Sequence, residues 1–202
     1  MPDTGAAALA GCDRLSHNDS FARTLQSAEH LNRALAKVVA PRPAMAQEFG
    51  PEQVAQTFRS NGTLSPRDAD YGALRDAGFA DYRLQVGGLV AKPLELTLAE
   101  LRALPSRTQI TRHDCVEGWS CIGKWKGTPL AAVLELARPT AEARFVVFRC
   151  FDSMQGLSDG VRDTRYYESI DLDEARHAQT ILAYDLNDKP LPVINGAPIR
   201  CR

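Results

Sequence analysis

The chain has 202 residues, 44% of them hydrophobic, enough for one real core with additional segments but not for two independent domains. With 24 Lys and Arg against 25 Asp and Glu it is near neutral, so it lacks the basic surface or stripe that nucleic-acid binding requires. No apolar run approaches the roughly 18 residues of a membrane-spanning helix, and in bulk terms the sequence reads as a soluble globular protein.

The first segment, residues 1–43, opens with Leu9-Ala10-Gly11-Cys12, which has the form of a lipoprotein processing box with Cys12 as the lipidated residue. The charged and apolar regions of an export signal do not precede it. It reads either as a chance tetrapeptide or as the remnant of a leader lying upstream of Met1. Apolar residues Phe21, Leu25, Ala28, Leu31, Leu35 and Val38 then recur every three or four positions, predicting an amphipathic helix over residues 21–40, closed by Pro41 and Pro43. Residues 44–81, rich in Gly, Pro and Asn, are expected to form an irregular arm with at most a short helix at 51–58.

A third segment, residues 82–202, has a different texture. Alternation over Tyr82-Arg83-Leu84-Gln85-Val86, a turn at Gly87-Gly88 and Leu89-Val90 predict a hairpin. Thr97 and Glu100 form a capping box for a short helix ending before Pro105. Residues 107–116 predict a strand that leads into a glycine- and tryptophan-rich loop. Pro129 then starts a helix through Leu136. A strand over 145–151, a short helix over 171–178 and a hairpin turning at Asn187-Asp188 follow, and 197–202 begins another strand. Short helices among many short strands indicate an α+β domain.

Five cysteines at irregular spacing make a poor disulfide framework and no zinc knuckle. Cys115, at a strand end beside basic residues, has a setting that lowers a thiol pKa. Three chemistries could use it: a nucleophile with His113 as its base, a weak zinc site with Cys121 and His113, or a soft thiolate ligand to a metal whose other ligands come from a cofactor. The bland alternative is a buried structural cysteine.

The block Arg112-His113-Asp114-Cys115-Val116-Glu117-Gly118-Trp119-Ser120 resembles the cysteine loop of molybdopterin oxidoreductases of the sulfite oxidase superfamily. Trp125-Lys126-Gly127-Thr128-Pro129-Leu130, Tyr166-Tyr167-Glu168-Ser169-Ile170-Asp171 and the stretch from Lys189 to Arg200 resemble the same family, in the same order. The resemblance implies a sulfite-oxidase-type α+β fold and a molybdenum–molybdopterin cofactor. It also implies two-electron oxygen-atom transfer on a small sulfur compound, by sulfoxide reduction or sulfite oxidation. Cys115 would be the metal ligand, and Asn61, Asn195 and Arg200 would be cofactor contacts. A further contact, a threonine in relatives, falls at Cys150, where a weak thiol replaces a hydroxyl.

Plain turns would equally account for Asn61-Gly62 and Asn195-Gly196, and a solvated strand charge for Arg200. His113 and Arg112 could line a substrate entrance or sit on a strand surface. Trp119 could wall the pocket or fill the core; Tyr166 and Tyr167 could supply pocket hydrogen bonds, while Cys121 and Cys201 read as structural. With no haem-attachment or dinucleotide motif, electrons would pass through a separate partner, a cytochrome or membrane haem protein, and family resemblance implies the periplasm. Relatives continue with a lysine-bearing segment and further strands, so the resemblance implies a chain incomplete at both ends, its closing strands missing. The competing readings are a non-catalytic fold relative without cofactor and a cysteine-nucleophile enzyme using Cys115 and His113.

Overall fold

The computed structural model describes residues 18–39, 45–60, 64–153 and 165–202. By its internal contacts the chain divides into two units, residues 1–44 and 45–202. In the first, α1 (Asp19–Val39) is the amphipathic helix the periodicity predicts. The Asn18 side chain caps it by accepting from the Ser20 and Phe21 amides at 3.0 and 3.1 Å, and Leu25, Leu31, Leu35 and Val38 on it are exposed. Cys12 lies outside the described residues.

The second unit is built on a five-stranded antiparallel sheet of β3 (Arg107–Cys115), β4 (Trp119–Pro129), β7 (Ile181–Leu186), β8 (Lys189–Pro190) and β9 (Arg200–Cys201). Their order is β3-β4-β7, with β8 and β9 both pairing the far side of β7. Two-stranded sheets β1 (Arg83–Val86) with β2 (Leu94–Thr97) and β5 (Phe145–Ser153) with β6 (Arg165–Asp171) complete the strands. The helices are α2 (Ala69–Asp76), α3 (Leu98–Ala103), α4 (Leu130–Ala137) and α5 (Leu172–Ala175).

Side chains alternate along each strand, so the large sheet has two different faces. Leu182 and Tyr184 of β7 join Leu101 of α3, Leu130, Val133 and Leu134 of α4 and Ala175 of α5 in one core. The alternate residues Ile181 and Ala183, with Leu186 beyond the shift in register against β4, join Phe58, Trp125 and Leu191 on the opposite face. The Thr128 hydroxyl, fully buried, donates to the Leu101 carbonyl at 2.7 Å and ties β4 to α3. Both reciprocal bonds of the Thr97–Glu100 capping box are present.

Three sequence expectations need correction. The segment after Cys115 is not a loop: a three-residue turn, closed by Gly118 with φ 84°, leads straight into β4. Its glycines serve close approach rather than turning. A Cβ on Gly123 would stand 2.8 Å from the Phe58 ring, and one on Gly127 would stand 2.3 Å from the Leu182 carbonyl oxygen, where the β4–β7 register shifts. Leu89-Val90 does not pair with β1, because residues 89–92 bond instead to the end of α4 and the segment after it (Ala91 to Arg138, Lys92 to Ala137, Thr140 to Leu89), and β1 pairs with β2. The arm contains α2, whose N-cap Asp68 accepts from the Tyr71 amide at 3.0 Å despite Gly72 within the helix. At 51–58 only Pro51–Gln53 forms a single 3-10 turn.

The arm is bonded to the sheet. Phe49 donates to the Ile110 carbonyl at 2.9 Å and Ala55 to that of Ile122 at 3.0 Å, while the Gln179 side chain bonds both backbone groups of Ala46. These bonds carry Phe58 onto the Trp125 face.

Gly127→Ala should lower unfolding stability by about 1–3 kcal/mol or more, because its methyl meets backbone that cannot turn aside. Gly72→Ala, with open space around it, should gain about 0.5–1 kcal/mol. Urea unfolding of the two variants checks both; a stable Gly127→Ala protein would show that β4 and β7 are not held this closely.

Candidate functional site

Cross-strand neighbours share a face, so β3 and β4 together present Gln109 with Trp125, Thr111 with Gly123, His113 with Cys121, and Cys115 with Trp119. Cys115 is the last residue of β3, half-buried, and its carbonyl accepts from Gly118 at 2.9 Å. Phe58 sits over Gly123, edge-on to Trp125 and Trp119 at ring separations of 5.0 and 6.3 Å and 6.0 Å from His113. From the other side of β7, Arg200 and Arg202 reach the same face two residues apart, Arg200 paired with Ala183 and Arg202 bonded through its backbone to Ile181.

The face is rich in cations and N–H donors. The guanidiniums of Arg202 and Arg200 lie 4.6 and 5.8 Å from the Trp125 ring centre, and that of Arg59 lies 5.6 Å from the Trp119 ring. Burial, with the Arg200 charge adding to it, pushes Arg202 down to about 10, which leaves it protonated at neutral pH. Burial also lowers Arg200, partly offset by the nearby thiols of Cys115, Cys201 and Cys150. Burial and these two cations push His113 down to about 4, so its ring is neutral at physiological pH. Arg202 Nη1 lies 2.6 Å from His113 Nδ1. Three buried side-chain nitrogens find no hydrogen-bond partner among the described residues: His113 Nε2, Trp125 Nε1 and Arg202 Nε.

The other residues singled out in the sequence fall in different places. Arg112 is on the opposite face of β3, exposed and ion-paired with Asp114 at 2.9 Å, because it is one residue out of phase with His113 and Cys115. Asn61 lies outside the described residues. Asn195 is buried at the end of a 3-10 turn; its side-chain amide donates to the Arg59 carbonyl at 3.2 Å and its own carbonyl accepts from Arg200 at 3.3 Å. It therefore joins the arm to the Arg200 strand.

Cys150, on β5, lies near enough to Arg200 to feel its charge, while burial and then Asp152 and Glu168 raise its thiol pKa. Cys201 is on the core face, its thiol pushed up to about 11 by burial. The Cys121 thiol contacts the Thr57 carbonyl at 3.8 Å. Trp119 packs 5.4 Å from His113 and donates to Glu117 at 3.0 Å, so it is part of the aromatic wall. Tyr166 and Tyr167 are exposed on β6, the former hydrogen-bonded to Glu168. Arg202, Arg59, Phe58 and Trp125 were not singled out from the sequence. The i, i+2 spacing of Arg200 and Arg202 on a strand was the available signal for one of them.

A nucleophile–base pair of Cys115 and His113 does not suit this geometry. The acceptor nitrogen of the ring faces a guanidinium, which has donors only, and is not open to a thiol proton. Residues 71–202 match the model of the oxidoreductase molybdopterin-binding domain. The chain belongs to that family. It is 39% identical over 158 residues to a protein-methionine-sulfoxide reductase subunit, YedZ1, of Azospira oryzae, covering 76% of this chain and 56% of that one. It is 40% identical over 133 residues to the protein-methionine-sulfoxide reductase catalytic subunit MsrP of Xanthomonas axonopodis pv. citri, covering 63% and 41%.

The sulfane dehydrogenase SoxCD of Paracoccus pantotrophus aligns with a TM-score of 0.50 at 22% identity, over 61% of this chain and 33% of that one. The likeness is one of fold: the sulfite-oxidase-type molybdopterin-binding α+β architecture. The chain spans about half or less of the length of the curated relatives it matches. Among the described residues no three His, Cys, Asp or Glu side chains are arranged to hold a metal ion by themselves. One strand-end cysteine beside half-buried cations and buried nitrogens unpartnered among the described residues fits an anionic pterin. The residues present therefore fit the family's cofactor.

The His113 ring titrates near 6.5 when unfolded and near 4 when folded, so the unfolded chain binds more protons between those values. Stability is fully present above about pH 6.5 and is lost as pH falls toward 4. His113→Phe should flatten this dependence, read as the difference in urea midpoint between about pH 7.5 and about pH 4.5. Equal pH dependence in variant and parent would show that the ring is not held neutral.

Proposed function

We propose that this chain is the cofactor-binding part of a molybdenum–molybdopterin oxidoreductase that carries out two-electron oxygen-atom transfer on a small sulfur compound, with Cys115 as the protein ligand to the metal. The observation that carries the reading is the gathering of a strand-end thiol, two half-buried guanidiniums and three buried nitrogens unpartnered among the described residues on one sheet face of a molybdopterin-binding domain. The relatives named as methionine-sulfoxide reductase subunits favour sulfoxide reduction, with sulfite oxidation as the second candidate.

When bound, the pterin would supply through its molybdenum the two-electron, one-oxygen exchange. Reduction of a sulfoxide consumes two electrons and two protons and releases the thioether and water. The chain's own residues hold and orient. The Cys115 thiolate fixes the metal at the end of β3, and Arg200 pairs with the anionic part of the pterin. Asn195 holds Arg59 and the arm against the Arg200 strand, and Asn61 is a further pterin contact by resemblance. Cys150 stands beside Arg200 as a weak partner at most. His113 lines the substrate side as a neutral donor. Phe58 and Trp119 narrow access by water.

The relatives' description as subunits supports a separate partner, which we take to be a haem protein that passes electrons, and by family resemblance we place the chain in the periplasm. No helix of the described residues is long and apolar enough to cross a membrane.

The test is metal and pterin analysis of the full chain produced in a molybdopterin-making host. The parent should carry about one molybdenum per chain, and Cys115→Ser should lose it by about tenfold or more. A well-folded parent devoid of molybdenum, or a Cys115→Ser protein that keeps it, would overturn the assignment.

A further inference from the structure

Arg202 has no part in the contacts assigned above, yet it stands at the centre of the donor-rich face. Its Nη1 is 2.6 Å from His113 Nδ1, its guanidinium lies 4.6 Å from the Trp125 ring centre, and its Nε has no partner among the described residues. A guanidinium carries donors and no acceptor, so the imidazole nitrogen it faces must be the unprotonated one. The proton of the ring is then on Nε2, a buried atom with no partner among the described residues. Trp125, fully buried, likewise carries an indole N–H with no partner among them. Buried donors are ordinarily satisfied. Two unsatisfied N–H groups on the rings that touch Arg202, together with its own Nε, mark a place for a ligand that only accepts hydrogen bonds.

We propose that Arg202 is a positioning residue that locks His113 in its Nε2–H form, so that the imidazole and the Trp125 indole offer N–H donors to an oxyanion bound on the Cys115 face. The assignment rests on the reading of that face as a cofactor site, but the tautomer can be observed without cofactor. The oxyanion could be an acidic group of the pterin or the oxygens of an anionic sulfur substrate. The chemistry is the same and the source is separable by experiment.

Long-range proton–nitrogen NMR of the full chain, labelled at its four histidines, reads the tautomer directly. The parent should show His113 as Nε2–H. Arg202→Met should release it to a mixture, and Arg202→Lys, which restores a donor-only cation, should recover it. Retained pterin in chains from a molybdopterin-making host reads the cofactor source, and titration of sulfite into pterin-free chain reads the substrate source. One of the two should fall by roughly 10–100-fold in Arg202→Met and in His113→Phe, with substantial rescue by Arg202→Lys.

A parent spectrum showing Nδ1–H would overturn the proposal even if Arg202→Met does not fold. So would a folded Arg202→Met protein whose tautomer is unchanged. If the tautomer shifts while both pterin retention and sulfite binding stand, the oxyanion role is refuted. A parent that takes up no pterin defeats the cofactor assignment instead, and the tautomer and sulfite measurements still decide the part played by Arg202.

Discussion

The contact of β4 with β7 at Gly127, where any Cβ would collide with the Leu182 carbonyl, joins the two sides of the molecule. Across this seam the ladder shifts register, so that Trp125 is opposite Leu186 while Gly127 is opposite Ala183. The shift keeps Trp125, Ile181 and Ala183 in one apolar cluster and leaves Leu182 and Tyr184 to the helical core behind. Because β9 is then hung on the outer side of β7, the phase of β7 also decides which way Arg200 and Arg202 point. A backbone approach thus determines the position of the charges.

The helical core bears the stability that the other face gives up. Each unsatisfied buried donor costs about 1–3 kcal/mol, and three lie on the Trp125 face. Leu101, Val133 and Ala175, all essentially removed from water, supply apolar burial on the helical side of the sheet. A sheet with one dry, well-packed face can hold a strained polar face rigid, as positioned binding groups require.

Much of this fold could be read from local pattern. The capping box of Thr97 and Glu100, the strand ending at Cys115, and the turn at Asn187-Asp188, whose two residues both have positive φ, are determined by neighbours in the sequence. What escaped was determined by distant partners. Gly123 and Gly127 have the composition of a loop, and only the Phe58 ring and the β7 backbone reveal that they are strand residues needing small side chains. Leu89 and Val90 have strand character but are drawn to residues following α4. For the candidate site, Cys115, Asn195 and Arg200 stand out in the sequence because they fall within short ordered blocks. Phe58 and Arg59 were not, because their arm carries no periodicity and is held by single hydrogen bonds to the sheet.

The electrostatics of the face follow from the same geometry. Arg200 and Arg202 are neighbours on one side of a strand, and burial makes each more costly than in water. A histidine placed between such cations and two aromatic rings cannot easily gain a third positive charge, which is why His113 stays neutral. The two guanidiniums remain charged because arginine holds its proton even after these penalties. The result is a fixed positive region with neutral donors beside a thiol at the end of a strand. An anionic ligand entering it relieves the repulsion between the cations and satisfies the orphaned N–H groups at the same time. Ligand binding and stabilisation of the folded chain are therefore coupled through these residues.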